Sequence, residues 1–202
     1  MFKFFAKIAS ILFHPLLMPT LGLLIIFQLS ANVFHLPYEA KRIILIIVGI
    51  NTLLLPLLII PMFYRLSIIK TLHMHNHRER VMPLLFTTIP YVFSFYFLNR
   101  LPIYSEIPMF MLGASVAVAL TLVVSIWWKI SIHMVGIGGI AGLLFSLYFL
   151  YQSNGFFSLL VAIMLAGIVA WARLYLSAHK PIQVYAGFAL GFCSIIFCLL
   201  IT

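Results

Sequence analysis

The connection between the last two apolar stretches of the chain carries a compact group of reactive side chains. Arg173 and His179 are separated by five residues, and Gln183 follows His179 at a spacing of four. On a helix, side chains four residues apart lie on one face within contact distance, so we expect His179 and Gln183 to meet. Arginine is suited to binding an oxyanion because guanidinium is a bidentate donor, and histidine is suited to nucleophilic or proton-transfer roles because imidazole titrates near neutral pH.

Two earlier connections are also rich in polar side chains. Their candidate site residues are Lys70, Arg78, Arg80, Lys129, Ser131 and His133. Two apolar stretches separate each of the three connections from the next, so an even number of membrane crossings brings all three to the same side. Ionisable groups at membrane depth are costly and usually functional, although residues at helix ends can also extend to the interface. The sequence therefore predicts one shared polar site.

The composition is that of a membrane protein. Of the 202 residues, 65% are hydrophobic and only 7% are charged, whereas about a quarter of a soluble domain is charged. The apolar runs have lengths near the ~20 residues that a helix needs to cross a bilayer, and a β-barrel would show shorter alternating segments. We predict an all-α polytopic transmembrane helix bundle of six or seven spans, forming a single integral membrane domain over residues 1–202. The runs are 8–29, 42–64, 81–98, 107–128, 132–151, 156–176 and 181–201.

Prolines and glycines refine this expectation. His14-Pro15 and Pro19 interrupt the first run, which is predicted to be kinked or to cross only halfway. Pro56 and Pro61 are predicted to bend the second in the same way. Glycines recur at a spacing of four in the fifth and seventh runs, at 138 and 142 and at 187 and 191. This spacing predicts close helix packing. Cys193 and Cys198 lie too far apart on one helix for a disulfide and are interpreted as packing residues.

The charge balance excludes several classes of function. The chain has three acidic residues and no aspartate, against 12 lysines and arginines, so catalytic carboxylate pairs and carboxylate-rich calcium or magnesium sites are disfavoured. The formal charge of +9 does not indicate nucleic-acid binding, because the bases are dispersed between apolar spans. It indicates an anionic partner at the membrane surface.

The order of the three polar connections resembles that of the type 2 phosphatidic acid phosphatase superfamily of membrane lipid phosphatases. The superfamily carries the motifs K-x6-R-P, P-S-G-H and S-R-x5-H-x3-D on a bundle of about six helices. Arg173 and His179 match the third motif, and Ser131 and His133 match the second without its Gly and Pro. In the first, seven residues rather than six separate Lys70 from Arg78.

The resemblance implies hydrolysis of a lipid phosphate, or of a polyprenyl phosphate or pyrophosphate, through a phosphohistidine. His179 would be the nucleophile and His133 would protonate the leaving group. The phosphoryl oxygens would be held by a set of polar residues: Lys70, Arg78, Arg80, Lys129, Ser131 and Arg173. No cofactor and no metal is required, and the only partners implied are the bilayer and its lipid phosphates.

Gln183 departs from the family pattern, which has aspartate there. Its carbonyl can orient the imidazole of His179 but supplies no negative charge. The alternative interpretation is therefore a non-enzymatic protein that binds or transports lipid phosphates with the same basic pocket, and a third is a small transporter of another anion. The histidines at 73, 75 and 77 offer a metal site only if further ligands join them. His133 alone is also compatible with a capped histidine at a helix end that forms a hydrogen bond with a backbone group.

The distribution of bases bears on orientation. Nine lysines and arginines fall on the predicted side of the polar site and three on the other, which favours the cytoplasmic face of an inner or plasma membrane. Six of the nine belong to the candidate site itself, so the count is not independent of function.

Overall fold

The computed structural model describes residues 2–67, 77–151 and 155–201. All regular structure in these ranges is helical. The α-helices are α1 (Phe2–Leu12), α2 (Met18–Leu29), α3 (Ala31–Phe34), α4 (Tyr38–Gly49), α5 (Leu55–Arg65), α6 (Val81–Leu98), α7 (Glu106–Trp127), α8 (Ile132–Tyr151), α9 (Phe156–Tyr175) and α10 (Pro181–Leu200).

Seven helical segments of the described ranges are long and apolar enough to cross a membrane. The first combines α1 and α2, the second combines α4 and α5, and α6 to α10 form the other five. Their outward faces carry many exposed large apolar side chains, as lipid contact requires. The predicted all-α polytopic bundle is confirmed, with seven candidate spans in the part that the structure describes.

The first span is broken where the sequence predicted a kink. Helix α1 ends before His14, the segment Pro15–Leu17 forms a short 3-10 helix, and α2 follows directly. The predicted start at residue 8 is wrong, because α1 begins at Phe2. Lys3 and Lys7 both lie on the exposed face of α1, so their charges do not prevent helix formation.

The second span contains a π-helical stretch at the predicted bend. The segment Ile50–Leu54 is π-helical and ends two residues before Pro56, which has no N–H to continue the regular hydrogen-bond ladder. The Asn51 amide in this stretch donates a hydrogen bond of 2.9 Å to Ser94 Oγ of α6. The wider turn thus places a buried amide against the neighbouring helix.

Helices α8 and α10 pack at backbone distance, as the glycine spacing predicted. A methyl group built on Gly138 or Gly142 would collide with the α10 backbone, and one built on Gly187 or Gly191 would collide with the backbone at the start of α8. This approach joins the two helices that follow the second and third polar connections. The glycines therefore set the distance between the candidate site residues.

We predict that Gly191→Ala lowers stability by about 1–3 kcal/mol, because its new methyl group would meet the Val135 carbonyl. The matched control is Gly167→Ala in α9, where nothing lies within 4 Å of the added carbon. That change should be neutral or raise stability by up to about 1 kcal/mol, since alanine is the better helix former. Thermal unfolding in detergent compares the two, and equal effects would contradict the packing described.

Candidate functional site

Two hydrogen bonds join the three polar connections at one end of the bundle. Arg80 Nη1, at the start of α6, donates to the Ile130 carbonyl in the second connection at 3.1 Å. The Ser131 N–H donates to the Gln183 carbonyl in the first turn of α10 at 3.2 Å. Helices α6, α8 and α10 begin at this end, and their N-terminal dipoles favour negative charge. The structure therefore brings the described parts of all three connections to the same side.

Gln183 fixes the tautomer of His179. Gln183 Oε1 lies 3.1 Å from the backbone N–H of Lys180 and 3.1 Å from His179 Nδ1. The backbone group can only donate, which identifies this atom of Gln183 as the acceptor. His179 Nδ1 must then carry the proton, so the lone pair of the neutral ring lies on Nε2. The spacing of four had predicted this contact.

Burial and positive charge keep the His179 ring neutral. Desolvation, and then the charge of Arg80, lower its pKa to about 3, with smaller contributions from Arg173 and Lys129 and a partial offset from the Gln183 hydrogen bond. The pKa of Lys129 is lowered as well, first by desolvation and then by Arg80 and Arg173. These mutual effects show three cations grouped around one imidazole.

Arg173 lies near this group and keeps one N–H that is not used in a hydrogen bond to the part of the chain that the structure describes. Its Nη1 donates to Ser10 Oγ at 3.3 Å, while its Nε is buried without a hydrogen-bond partner among the described residues. No carboxylate in the described ranges forms an ion pair with it. A half-buried guanidinium whose buried Nε–H is unused is suited to receive an oxyanion.

His133 is held by the N-terminal segment. Its Nε2 lies 3.1 Å from the Ser10 carbonyl, which can only accept, so Nε2 carries a proton. The His14 ring lies edge-on to the His133 ring, with centroids 5.5 Å apart. Ser10 and His14 thus belong to the site, and sequence reasoning missed both. The one signal was the break of an otherwise apolar span at His14-Pro15.

These side chains line a cavity of about 570 Å³. Its polar end is formed by Ser10, His14, Arg80, His133, Arg173 and His179. The rest of the wall consists mainly of apolar residues from α2, α5, α6, α7, α8 and α10. Two arginines and three histidines therefore share one cavity, which carries no acidic side chain among its described lining residues.

The other predicted site residues stand outside the described cavity wall. Arg78 is exposed and Lys129 is half-buried. Ser131 and Gln183 are buried behind His133 and His179, where they connect α8 to α10. Lys70 and the histidines at 73 and 75 lie outside the described residues, and of His77 only the backbone is described. The described residues contain no group of three potential metal ligands.

Comparison of the chain with protein-family models, with curated proteins and with solved structures finds no match.

The state of the His179 ring gives a direct prediction. Because its pKa is lowered to about 3 from an ordinary 6.5, the ring should remain neutral with the proton on Nδ1 from about pH 7.5 down to pH 5, where an ordinary histidine is mostly cationic. Histidine ¹⁵N NMR of the detergent-solubilised protein measures this, with the signal assigned by its loss in His179→Gln. A midpoint near pH 6.5 would contradict the burial and charge effects described.

Proposed function

We propose that this chain is a metal-independent membrane phosphatase that hydrolyses a lipid phosphate, or a polyprenyl phosphate or pyrophosphate, through a phosphohistidine on His179. The observation that carries the proposal is the hydrogen bond from His179 Nδ1–H to Gln183 Oε1. It leaves the Nε2 lone pair available in a cavity that also holds two arginines. A residue that only bound phosphate would gain nothing from a fixed tautomer with a nucleophilic nitrogen.

The first step of the proposed reaction forms a bond between His179 Nε2 and phosphorus and breaks the bond from phosphorus to the leaving oxygen. Arg80 and Arg173 hold the equatorial oxygens, whose charge guanidinium groups neutralise without a metal. His133 donates a proton to the leaving oxygen. Its Nε2–H is committed to the Ser10 carbonyl, so the donated proton comes from Nδ1, which takes it from the bound phosphate monoanion when that group enters the site.

In the second step, water attacks phosphorus, the phosphorus–nitrogen bond breaks, and inorganic phosphate leaves. His133, now neutral at Nδ1, accepts the proton of the attacking water and passes it to the departing phosphate, which returns the ring to its neutral starting state. His179 recovers its lone pair on Nε2 while Nδ1–H stays with Gln183. The cycle consumes water and releases an alcohol and phosphate, and it needs no cofactor.

The deciding test is release of inorganic phosphate from detergent-solubilised lipid phosphates with EDTA present. His179→Gln should lower turnover by a factor on the order of 10³ or more, and His133→Gln by about 10²–10⁴ on substrates with a poor leaving group. The matched control is His35→Gln, an exposed histidine in the loop before α4 that should leave turnover unchanged. Full activity in His179→Gln would remove the mechanism.

Gln183→Glu tests the departure from the family pattern. Glutamate has the same length, so a carboxylate oxygen can accept both hydrogen bonds that Gln183 Oε1 accepts now. Its charge should raise the pKa of His179 and increase turnover on the order of tenfold or more, because it stabilises the positive ring of the intermediate. A variant with a raised His179 pKa and no gain in turnover would contradict the proposed role of that ring.

The second candidate function is a binding or transport protein for lipid phosphates. The observation that favours it is the neutral Gln183 in contact with His179. We predict that phosphate and sulfate raise the melting temperature of the chain, that added salt weakens the effect, and that Arg173→Ala loses most of it. The same anion binding without phosphate release in either the parent or Gln183→Glu would select this candidate over the phosphatase.

A further inference from the structure

The cavity extends from the polar end far into the apolar interior. On α7, which ends at the polar side, its lining runs from Thr121 back to Phe110. The eleven steps between these two residues correspond to about 17 Å at a rise of 1.5 Å per residue. On α6, which begins at the polar side, the lining runs over the same number of residues from Arg80 to Tyr91. The depth is thus about half of the ~30 Å hydrocarbon core.

The deep part of the cavity suits hydrocarbon rather than a hydrated ion. Its wall includes aliphatic side chains such as Leu84, Val118 and Ile140. The hydroxyl groups of Thr87 and Thr121 in the wall donate to carbonyls of their own helices, each at 2.7 Å. They therefore do not need water or an ion as a partner. The polar end attracts an anion, whereas the deep end offers an ion little in exchange for its hydration shell.

Small residues create this space, and an aromatic ring lines its deep end. Gly136 and Gly139 on α8 lie in the wall with Ala114 and Ala117 on α7, and larger side chains at the two alanines would fill the volume. At the deep end Phe110 lines the cavity, and its ring packs so closely on Gly22 of α2 that a methyl group there would collide with it. Phe110 therefore has little room to move aside.

We propose that the deep cavity holds a hydrocarbon tail of the lipid whose phosphate binds at Arg80 and Arg173, and that Phe110 limits the length of tail that enters. This inference rests on the proposed function in one respect, that the head group of the lipid is a phosphate. Because bilayer lipid is as apolar as the cavity, the transfer itself contributes little affinity. The cavity instead positions the phosphate at His179 and discriminates between lipids by tail length.

The test measures binding of n-alkylphosphonates from butyl to hexadecyl, whose carbon–phosphorus bond the proposed reaction does not cleave. For the parent chain, affinity should increase up to about fourfold for each methylene that leaves water and then level off once the tail reaches Phe110. In Ala114→Phe, which fills the middle of the cavity, affinity should level off at a shorter tail and should be at least tenfold lower than in the parent for long tails. It should keep butylphosphonate binding within about twofold.

The matched control is Val123→Phe, which adds the same ring to the exposed face of α7. It should leave the affinity for every tail length unchanged. Partitioning of the phosphonates into detergent cancels when the affinity of a variant is divided by that of the parent. A uniform loss at every length in Ala114→Phe, or no change at any length, would overturn the proposal.

A second measurement needs no variant. A long alkylphosphonate with a photoreactive diazirine at the end of its tail should label the parent chain near Phe110 and Ile195 at the deep end. Labelling confined to exposed faces of the helices would place the tail in the bilayer and overturn the proposal. Length-dependent binding without phosphate release would refute the phosphatase and keep the tail site, whereas phosphate release without length dependence would refute the tail site alone.

Discussion

The close approach of α8 and α10 is the constraint on which the site depends. Each helix carries one of the two histidines proposed to act on phosphorus at or just before its first turn, and the glycines between them set the distance. The Ser131 N–H bond to the Gln183 carbonyl fixes their relative depth at the polar end. A wider spacing would separate His133 from His179 whatever the remaining helices did.

The second constraint is electrostatic. Desolvation lowers the pKa of His179 most, and Arg80, Arg173 and Lys129 lower it further. The fixed charge around that ring is therefore positive. Grouping cations in a partly buried place costs free energy. A bound phosphate would lower this cost, because each of its oxygens accepts charge-assisted hydrogen bonds. The three N-terminal helix ends that meet here add to the same preference. The mutual repulsion of these positive charges thus favours binding of an anion at the site.

Hydropathy predicted most of the fold because lipid imposes a simple rule on each span. Helix α6 has the predicted bounds, and α10 begins at the predicted Pro181. The start of α1 was missed, since Lys3 and Lys7 lower local hydropathy although both side chains can point away from the bundle. The glycine spacing predicted the α8–α10 contact because backbone proximity in lipid requires small residues at that period.

The site was predictable where its contacts are local and not where they are distant. The contact between His179 and Gln183 spans four residues, so spacing was sufficient, although His179 lies just ahead of α10 and Gln183 reaches back to it past the Lys180 N-cap. The contacts of Ser10 with His133 and Arg173 join residues more than a hundred positions apart, and no local pattern encodes them. Spacing also gave no choice between Arg78 and Arg80, because a single turn ahead of α6 decides which one lines the cavity.

Gln183 links the two functions considered for this site. Phosphorylation of Nε2 while Nδ1 keeps its proton places a positive charge on the ring of His179. Gln183 Oε1 also accepts a hydrogen bond from the Lys180 N–H. Its single carbonyl dipole is therefore shared between two donors and stabilises the charge of the ring only in part. The covalent intermediate is therefore less stable relative to the bound phosphate than it would be beside a carboxylate. In the proposed reaction, formation of the phosphorus–nitrogen bond would therefore be slowed and its hydrolysis eased. The proposed cycle would then be spent mostly as a complex with unreacted lipid phosphate.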